Sequence, residues 1–538
     1  MTGAIKKVLK KWGIAVPDNG IVPIRRGVEA TVFAVLASFL FYLYYGIGLC
    51  SDDYYFYNLV AGADFKTAGA SLFNGPNLLT VPNLFYYFLI LKTIAIFNIS
   101  LYGIWLMIIA VAVVYSIYVF MCDYINSFAA FLFSCIAFFY PTHDATIFWI
   151  LGMYIPINCA ILMYAHHLIN KGKYLKGSLV SFLGAFFSYA SPAIGLGLSS
   201  IFLMKKRLKE FLIFVIPTIS YICYGIVVKH IYYLTDWKFT NFNNPFGIAK
   251  QFIIQLCTAI DAFIGPSFFL KMYYAYLQLH PLSIFIGLVI LLLFARTYDR
   301  TAKYQIIDRH LLWAFLIIAF LASLQLSITG RYPQIAFGLG NRVTFFISLP
   351  IALFLMLGLS SGKKIAVLIF AIYLFAIIGI SDHWKRWSLE QKEIINRISH
   401  NKDVKDIVPK IPLFVSHNQY SKYGPLSHLE FFSSASREIF VKAIGSKLPV
   451  VPVYSISKQF RINGEYIIET KYNQKFKIDR HIYVFNSNTG RIEKFSKDRI
   501  QTYLEKLPND KRHWIQFIKN DSLKDIIIKL SPDLGYLF

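Results

Sequence analysis

Residues 79–97 read LTVPNLFYYFLILKTIAIF, with Pro82 and Lys92 inside an otherwise apolar run. The run is long enough to cross a bilayer, which takes about 20 apolar residues. Whether it crosses decides the side on which every later loop lies. Taken as a helix lying at the outer interface, it leaves one side with Lys6, Lys7, Lys10, Lys11, Arg25, Arg26, Lys171, Lys173, Lys176, Lys205, Lys206, Arg207, Lys209, Arg296, Arg300, Lys303, Arg309, Lys363 and Lys364. Those are 19 of the 27 basic residues before position 383. If 79–97 crossed, every basic cluster after residue 168 would move outside while the N-terminus stayed inside. The positive-inside rule therefore selects the interfacial reading.

Working outward, apolar runs predict spans at 28–49, 101–122, 127–140, 147–168, 177–190, 193–204, 210–228, 281–295, 310–328, 341–359 and 365–381. The expectation is a polytopic α-helical membrane protein with about 11 transmembrane helices. The N-terminus would be cytoplasmic and the C-terminus outside, with outer loops at 50–100 and 229–280. The first 27 residues, basic and amphipathic, read as a cytoplasmic segment lying on anionic lipid headgroups.

Composition supports the same class. Of 538 residues, 56% are hydrophobic and only 15% charged, against about 25% charged in soluble domains. The net charge of +25 is spread between apolar runs, which argues against a nucleic-acid partner. The balance changes near residue 383. Residues 1–382 carry 27 basic and 13 acidic residues, and residues 383–538 carry 27 and 16. The domains read as 28–382, membrane-embedded, and 383–538, soluble. In the latter, strand-like runs at Val450–Ile456, Tyr466–Thr470 and His481–Phe485, a hairpin turn at Ser487-Asn488-Thr489-Gly490, and helical patterns at 383–400, 496–508 and 521–530 predict a small α+β fold. The six cysteines, Cys50, Cys122, Cys135, Cys159, Cys223 and Cys257, form no CxxC pair and no disulfide framework.

This topology isolates a few polar residues on the outer face. Asp52 and Asp53 follow the first span and precede Tyr54, Tyr55, Phe56 and Tyr57. Adjacent carboxylates raise each other's proton affinity, which suits a general base or a cation ligand. The aromatic run is an interfacial belt and also offers ring faces to a sugar. His143 and Asp144 occupy the short loop 141–146, where Asp144 is a second carboxylate and His143 a substrate contact. His230 stands in the long loop 229–280. Arg331 and Arg342 are guanidinium groups at the membrane edge, suited to a phosphate at headgroup level.

The pattern of Asp52-Asp53 after the first span, an interfacial helix in a long first outer loop, and Asp144 before the fourth span resembles the GT-C superfamily of membrane glycosyltransferases. Those enzymes use polyprenyl- or dolichyl-phosphate-linked sugars. Within the superfamily the chain looks most like the phage- and bacterium-encoded, serotype-converting enzymes that decorate O-antigen with a side-branch sugar. The resemblance covers residues 28–381 and implies a location in the bacterial cytoplasmic membrane with a periplasmic C-terminal domain. Its implied donor is a polyprenyl-phosphate hexose and its implied acceptor a surface glycan. Asp52, Asp53 and Asp144 would be the catalytic carboxylates, with Mg²⁺ or Mn²⁺ as the ion if they hold one. Arg331 and Arg342 would hold the donor phosphate, and Tyr54, Tyr55, His143 and His230 the sugars. Many relatives carry Lys-Pro-Pro in the interfacial helix where this chain has Leu-Thr-Val-Pro-Asn (79–83), so Lys66 or Lys92 would take over that phosphate contact.

Two other readings compete. A transporter or flippase of lipid-linked glycans would carry charges within its spans. A glycan ligase or polymerase would use His230 in the long late loop.

Overall fold

The computed structural model of the protein describes residues 26–61, 64–72, 75–98, 100–231, 245–298, 308–329, 334–360, 362–407, 413–432, 436–445, 453–456, 460–469, 474–478, 481–507, 525 and 529. Most of the N-terminal segment 1–27 and Arg331 lie outside the described residues. The chain forms two compact units. The first contains residues 1–47, 69–90 and 100–384, and the second 48–68, 91–99 and 385–538. The division after Trp384 lies close to the change in charge density. Residues 48–68 and 91–99 group with the second unit.

The architecture is polytopic and helical. Among the described residues, seven helices are long and apolar enough to cross a membrane. They are Leu78–Ile96, Leu101–Met121, Leu208–Val228, Pro245–Tyr276, Arg309–Thr329, Leu339–Leu359 and Lys363–His400. Four shorter apolar helices are Ala30–Tyr44, Ser127–Phe138, Ser191–Met204 and Pro281–Thr297. Leu101–Met121 shows why such segments form: it holds no charged residue and is apolar on every side. Its fully buried Leu106, Ala110, Val114 and Ile117 recur at helical spacing.

Leu78–Ile96, expected to lie as a helix at the outer interface, is a helix of span length. Pro82 falls in the first turn of the Val81–Ile96 helix, where its missing N–H breaks no helical bond. The region 229–280, expected as a loop, contains the Pro245–Ile264 and Pro266–Tyr276 helices. The predicted span 147–168 is broken at Trp149, which is extended (φ −123°, ψ 119°), so its long helix begins only at Tyr154.

Close packing depends on small residues. A Cβ at Gly379 would lie 2.0 Å from the Ala275 carbonyl oxygen, so only glycine lets these two helices approach so closely. One end of the first unit carries a polar network. Asp123 accepts from His167 Nδ1 and Asn170 Nδ2 and pairs with Lys171, each at 3.0 Å. Arg207 bonds Asn170 and, at 3.0 Å, Glu210. Lys205 pairs with Asp308 at 2.8 Å. Asp123, Asn170, Lys171, Arg207 and Glu210, with Lys205 and Asp308, thus gather at that end.

In the second unit a four-stranded sheet has the order β4-β1-β8-β9, with β1 Leu413–Ser416, β4 Val453–Ser455, β8 Ile482–Asn486 and β9 Arg491–Phe495. Strand β1 is parallel to both β4 and β8, and β9 is antiparallel to β8. A hairpin, β2 Tyr420–Tyr423 with β3 Leu426–Glu430, lies between β1 and β4 in the chain, followed by the Ser436–Ile444 helix. The meander β5 Phe460–Asn463, β6 Tyr466–Glu469 and β7 Gln474–Lys477 lies between β4 and β8. Both faces of the sheet are covered. Phe414 meets Phe460 and Phe476 of the meander. On the opposite face Phe485 meets Phe432 and Phe440. The turn 487–490 joins β8 to β9, and Gly490 supplies its positive φ of 69°.

Candidate functional site

After the Ser127–Phe138 helix the chain makes a 3₁₀ turn, Pro141–His143, and a short helix, Ala145–Phe148. This stretch, expected as an exposed outer loop, is buried throughout. His143, Asp144 and Thr146 are hydrogen-bonded in the interior, which offsets the cost of burying them, while Thr142 Oγ1 is buried with no hydrogen-bond partner among the described residues. His143 Nε2 donates to the Ala137 carbonyl at 3.1 Å, and Nδ1 lies 2.7 Å from Thr146 Oγ1. Burial pushes its pKa down to about 4, so the ring is neutral with both nitrogens committed. That corrects its assignment as a substrate contact.

Asp144 is the centre of the cluster. Its Oδ1 accepts from Lys271 Nζ at 2.6 Å and from Asn341 Nδ2, and its Oδ2 accepts from Trp384 Nε1 at 2.8 Å. Neither Asp144 nor Lys271 is exposed at all. Lys271 also donates to the Ala336 carbonyl and lies 5.6 Å from the Phe337 ring centre. Asn341 Oδ1 accepts the Ala145 N–H at 3.2 Å. Three separate segments thus converge on the Asp144 carboxylate. Three donors occupy its oxygens, so Asp144 holds structure and charge in place and is not built to collect a proton from a substrate. An ammonium group also fills the position a cation would take. Among the described residues no group of three or more His, Cys, Asp and Glu side chains is arranged to hold a metal ion, and the donor set at Asp144 does not fit one.

Arg342 follows Asn341 directly. Its guanidinium carbon lies 5.3 Å from the Trp149 ring centre, and Nη1 donates to the Leu339 carbonyl at 3.3 Å. Its charge also acts on Tyr154, whose hydroxyl bonds that of Tyr189. The result is a half-buried guanidinium beside the Trp149 ring, a setting suited to an oxyanion.

The remaining candidates belong mainly to the second unit. Asp53 is buried, and its Oδ2 accepts the Cys50 N–H at 3.0 Å while its own N–H donates to the Cys50 carbonyl at 3.1 Å. This reciprocal turn starts the Asp53–Ala61 helix in the manner of a capping box. Asp53 is therefore a structural cap, and Asp52 is the member of the pair that solvent reaches. Tyr54 is buried, with its hydroxyl 3.4 Å from Gln391 Oε1 and its ring edge-on to Phe431. Tyr55 is exposed and packs on Phe56. Lys92 donates to the Val60 carbonyl at 2.8 Å, at the C-terminal end of the Asp53–Ala61 helix where cations are favoured. That bond is a reason for its presence independent of any phosphate. Lys66 is exposed in the Phe65–Leu72 helix. His230, in the first unit, is exposed at the end of the Leu208–Ile231 helix.

Lys271, Asn341 and Trp384 were not among the sequence candidates. Lys271 carried a usable signal, a lone lysine within the apolar run PSFFLKMYYAY. Asn341 and Trp384 carried none. No family model, no curated protein and no solved structure matches this chain.

Proposed function

We propose that the protein is an integral-membrane glycosyltransferase of the bacterial cytoplasmic membrane. It moves a sugar, a hexose such as glucose, from a polyprenyl-phosphate carrier to a cell-surface glycan such as O-antigen on the periplasmic side. The observation that carries the reading is the state of the aspartate pair. Asp53 is consumed as a cap, while Asp52 stays accessible directly after Ser51, a non-glycine residue at φ +50°. Backbone strain of this kind gathers at functional positions. In this reading Asp52 takes the proton from the acceptor hydroxyl. The hydroxyl oxygen attacks the anomeric carbon and the bond to the phosphate oxygen breaks with inversion. By its chemistry, a guanidinium such as that of Arg342 suits the charge left on the polyprenyl phosphate. The test is release of polyprenyl phosphate by the purified chain from polyprenyl-phosphate hexoses, with and without glycan acceptors. Acceptor-dependent release that Asp52→Asn abolishes supports the reading. Release unaffected by Asp52→Asn removes its base.

A second reading, a transporter or flippase of lipid-linked glycans, is favoured by one observation. The Asp144–Lys271 ion pair is fully buried, and Lys271 lies within a span-length helix. Such intramembrane charges often mark transport pathways. Flipping of a fluorescent lipid-linked glycan in proteoliposomes, lost in the folded double variant Asp144→Leu with Lys271→Met, would support this reading over the first.

A further inference from the structure

We infer that the second unit carries a binding crevice for a neutral saccharide at the carboxyl ends of β1 and β8. In open sheets of parallel strands, ligands bind beyond the strand carboxyl ends where successive crossovers leave on opposite faces. This sheet has such a point. The crossover from β1 to β4 runs through the hairpin and helix that cover Phe485, and the crossover from β4 to β8 runs through the meander that covers Phe414. The two faces alternate along the strands, because Phe414 is registered with Val484 and Val415 with Phe485. The switch therefore falls between β1 and β8, whose last registered pair is Ser416 and Asn486.

The residues just beyond that pair are polar and without net charge. His417 has a left-handed backbone (φ +55°) and is exposed. Its N–H donates to the Tyr503 hydroxyl at 2.9 Å, and its Nδ1 lies 3.1 Å from Ser416 Oγ. Gln419 Nε2 donates to Ser487 Oγ at 3.0 Å, to the His417 carbonyl at 3.2 Å and to Asn488 Oδ1. That lattice fixes the Gln419 amide and the Asn488 amide next to the imidazole. Gln419 Oε1 and His417 Nε2 have no hydrogen-bond partner among the described residues. Beside them, Glu493 and Arg499 bond each other, and the Glu430 carboxylate accepts from Asn418 Nδ2 at 2.6 Å, so the groups left to face a ligand are amide, hydroxyl and imidazole. Paired donors and acceptors of this kind match vicinal hydroxyls. An anionic ligand would want cations here.

The inference deepens the glycosyltransferase reading by giving the acceptor glycan a place to bind, but binding is measured separately from transfer. The full chain in nanodiscs is titrated with neutral hexose oligosaccharides of two to six units and, as a second arm, with inorganic phosphate. At least one neutral oligosaccharide is expected to bind. Gln419→Ala and the exposed-site change Asn488→Ala should each weaken that binding about tenfold, the loss of a hydrogen bond or two. Thermal unfolding of each variant confirms that the unit is intact, and Asn488→Ala, in an exposed turn, keeps the test valid if Gln419→Ala does not fold. Absence of binding up to about 10 mM, binding of phosphate alone, or oligosaccharide binding that survives Asn488→Ala would each overturn the inference. Binding without sugar transfer would leave it standing and count against the transferase alone.

Discussion

The Lys271 ammonium lies 2.6 Å from the Asp144 carboxylate, and neither side chain touches solvent. Removing one partner strands the other charge in the interior. Lys271→Met is expected to destabilise the protein by about 3–5 kcal/mol. The double change Asp144→Leu with Lys271→Met should recover much of that loss, because no unpaired charge then remains. Thermal unfolding of the three proteins in one detergent checks the order. A double variant less stable than Lys271→Met would show that the pair stabilises beyond charge neutralisation.

The two adjacent aspartates should separate by experiment. Asp53→Ala removes the acceptor of the Cys50 N–H and should cost about 1 kcal/mol of stability. Asp52→Asn should abolish transfer in protein that still folds. Measuring midpoint and polyprenyl phosphate release on both variants distinguishes the roles. The opposite pattern would make Asp53 the base.

At Arg342 geometry matters as well as charge. The planar group sits against Trp149, and an ammonium cannot reproduce that stacking. Arg342→Ala should lower the transfer rate about a hundredfold or more, and Arg342→Lys should restore only a small part. A lysine variant with wild-type turnover would mean that a point charge suffices.

Acid stability should depend on Asp123. Burial pushes its carboxyl pKa up, but the bonds from His167, Asn170 and Lys171 outweigh burial and hold it below the ordinary 3.8. A carboxyl depressed in the folded state adds stability that is present above the unfolded value and lost as pH falls through the folded one. Asp123→Asn should therefore be less stable than the native chain at neutral pH, and the gap should narrow below about pH 3.9. Denaturation midpoints over a pH series would show this. A gap that stays constant to pH 2 would mean that the bonds to Asp123 do not depend on its charge.

Much of the helical scaffold is readable from apolar length alone, as at Leu101–Met121 and Arg309–Thr329. The misreading at 229–280 has a physical cause. Lys250, Asp261 and Lys271 make the stretch look solvated, yet two of them are used internally. Asp261 Oδ1 accepts the Ser267 N–H at 3.1 Å, and Lys271 pairs with Asp144. Sequence shows that a charge exists but not whether a distant partner cancels it. Strand β1 is only four residues, LFVS, too short for its alternation to register, so the central strand of the sheet went unread. Asp144 was legible as a candidate, but its engagement by Lys271, Asn341 and Trp384 depends on positions up to 240 residues away.

Trp384 has a further consequence. Its indole N–H is hydrogen-bonded to the buried carboxylate, and indole emission shifts with the polarity and hydrogen bonding around that group. Tryptophan fluorescence is therefore an optical reporter already present beside the Asp144–Lys271 pair. Comparing spectra of the native chain with those of Trp384→Phe isolates its contribution, so any event that disturbs the pair can be followed by its colour, in real time and without an attached dye.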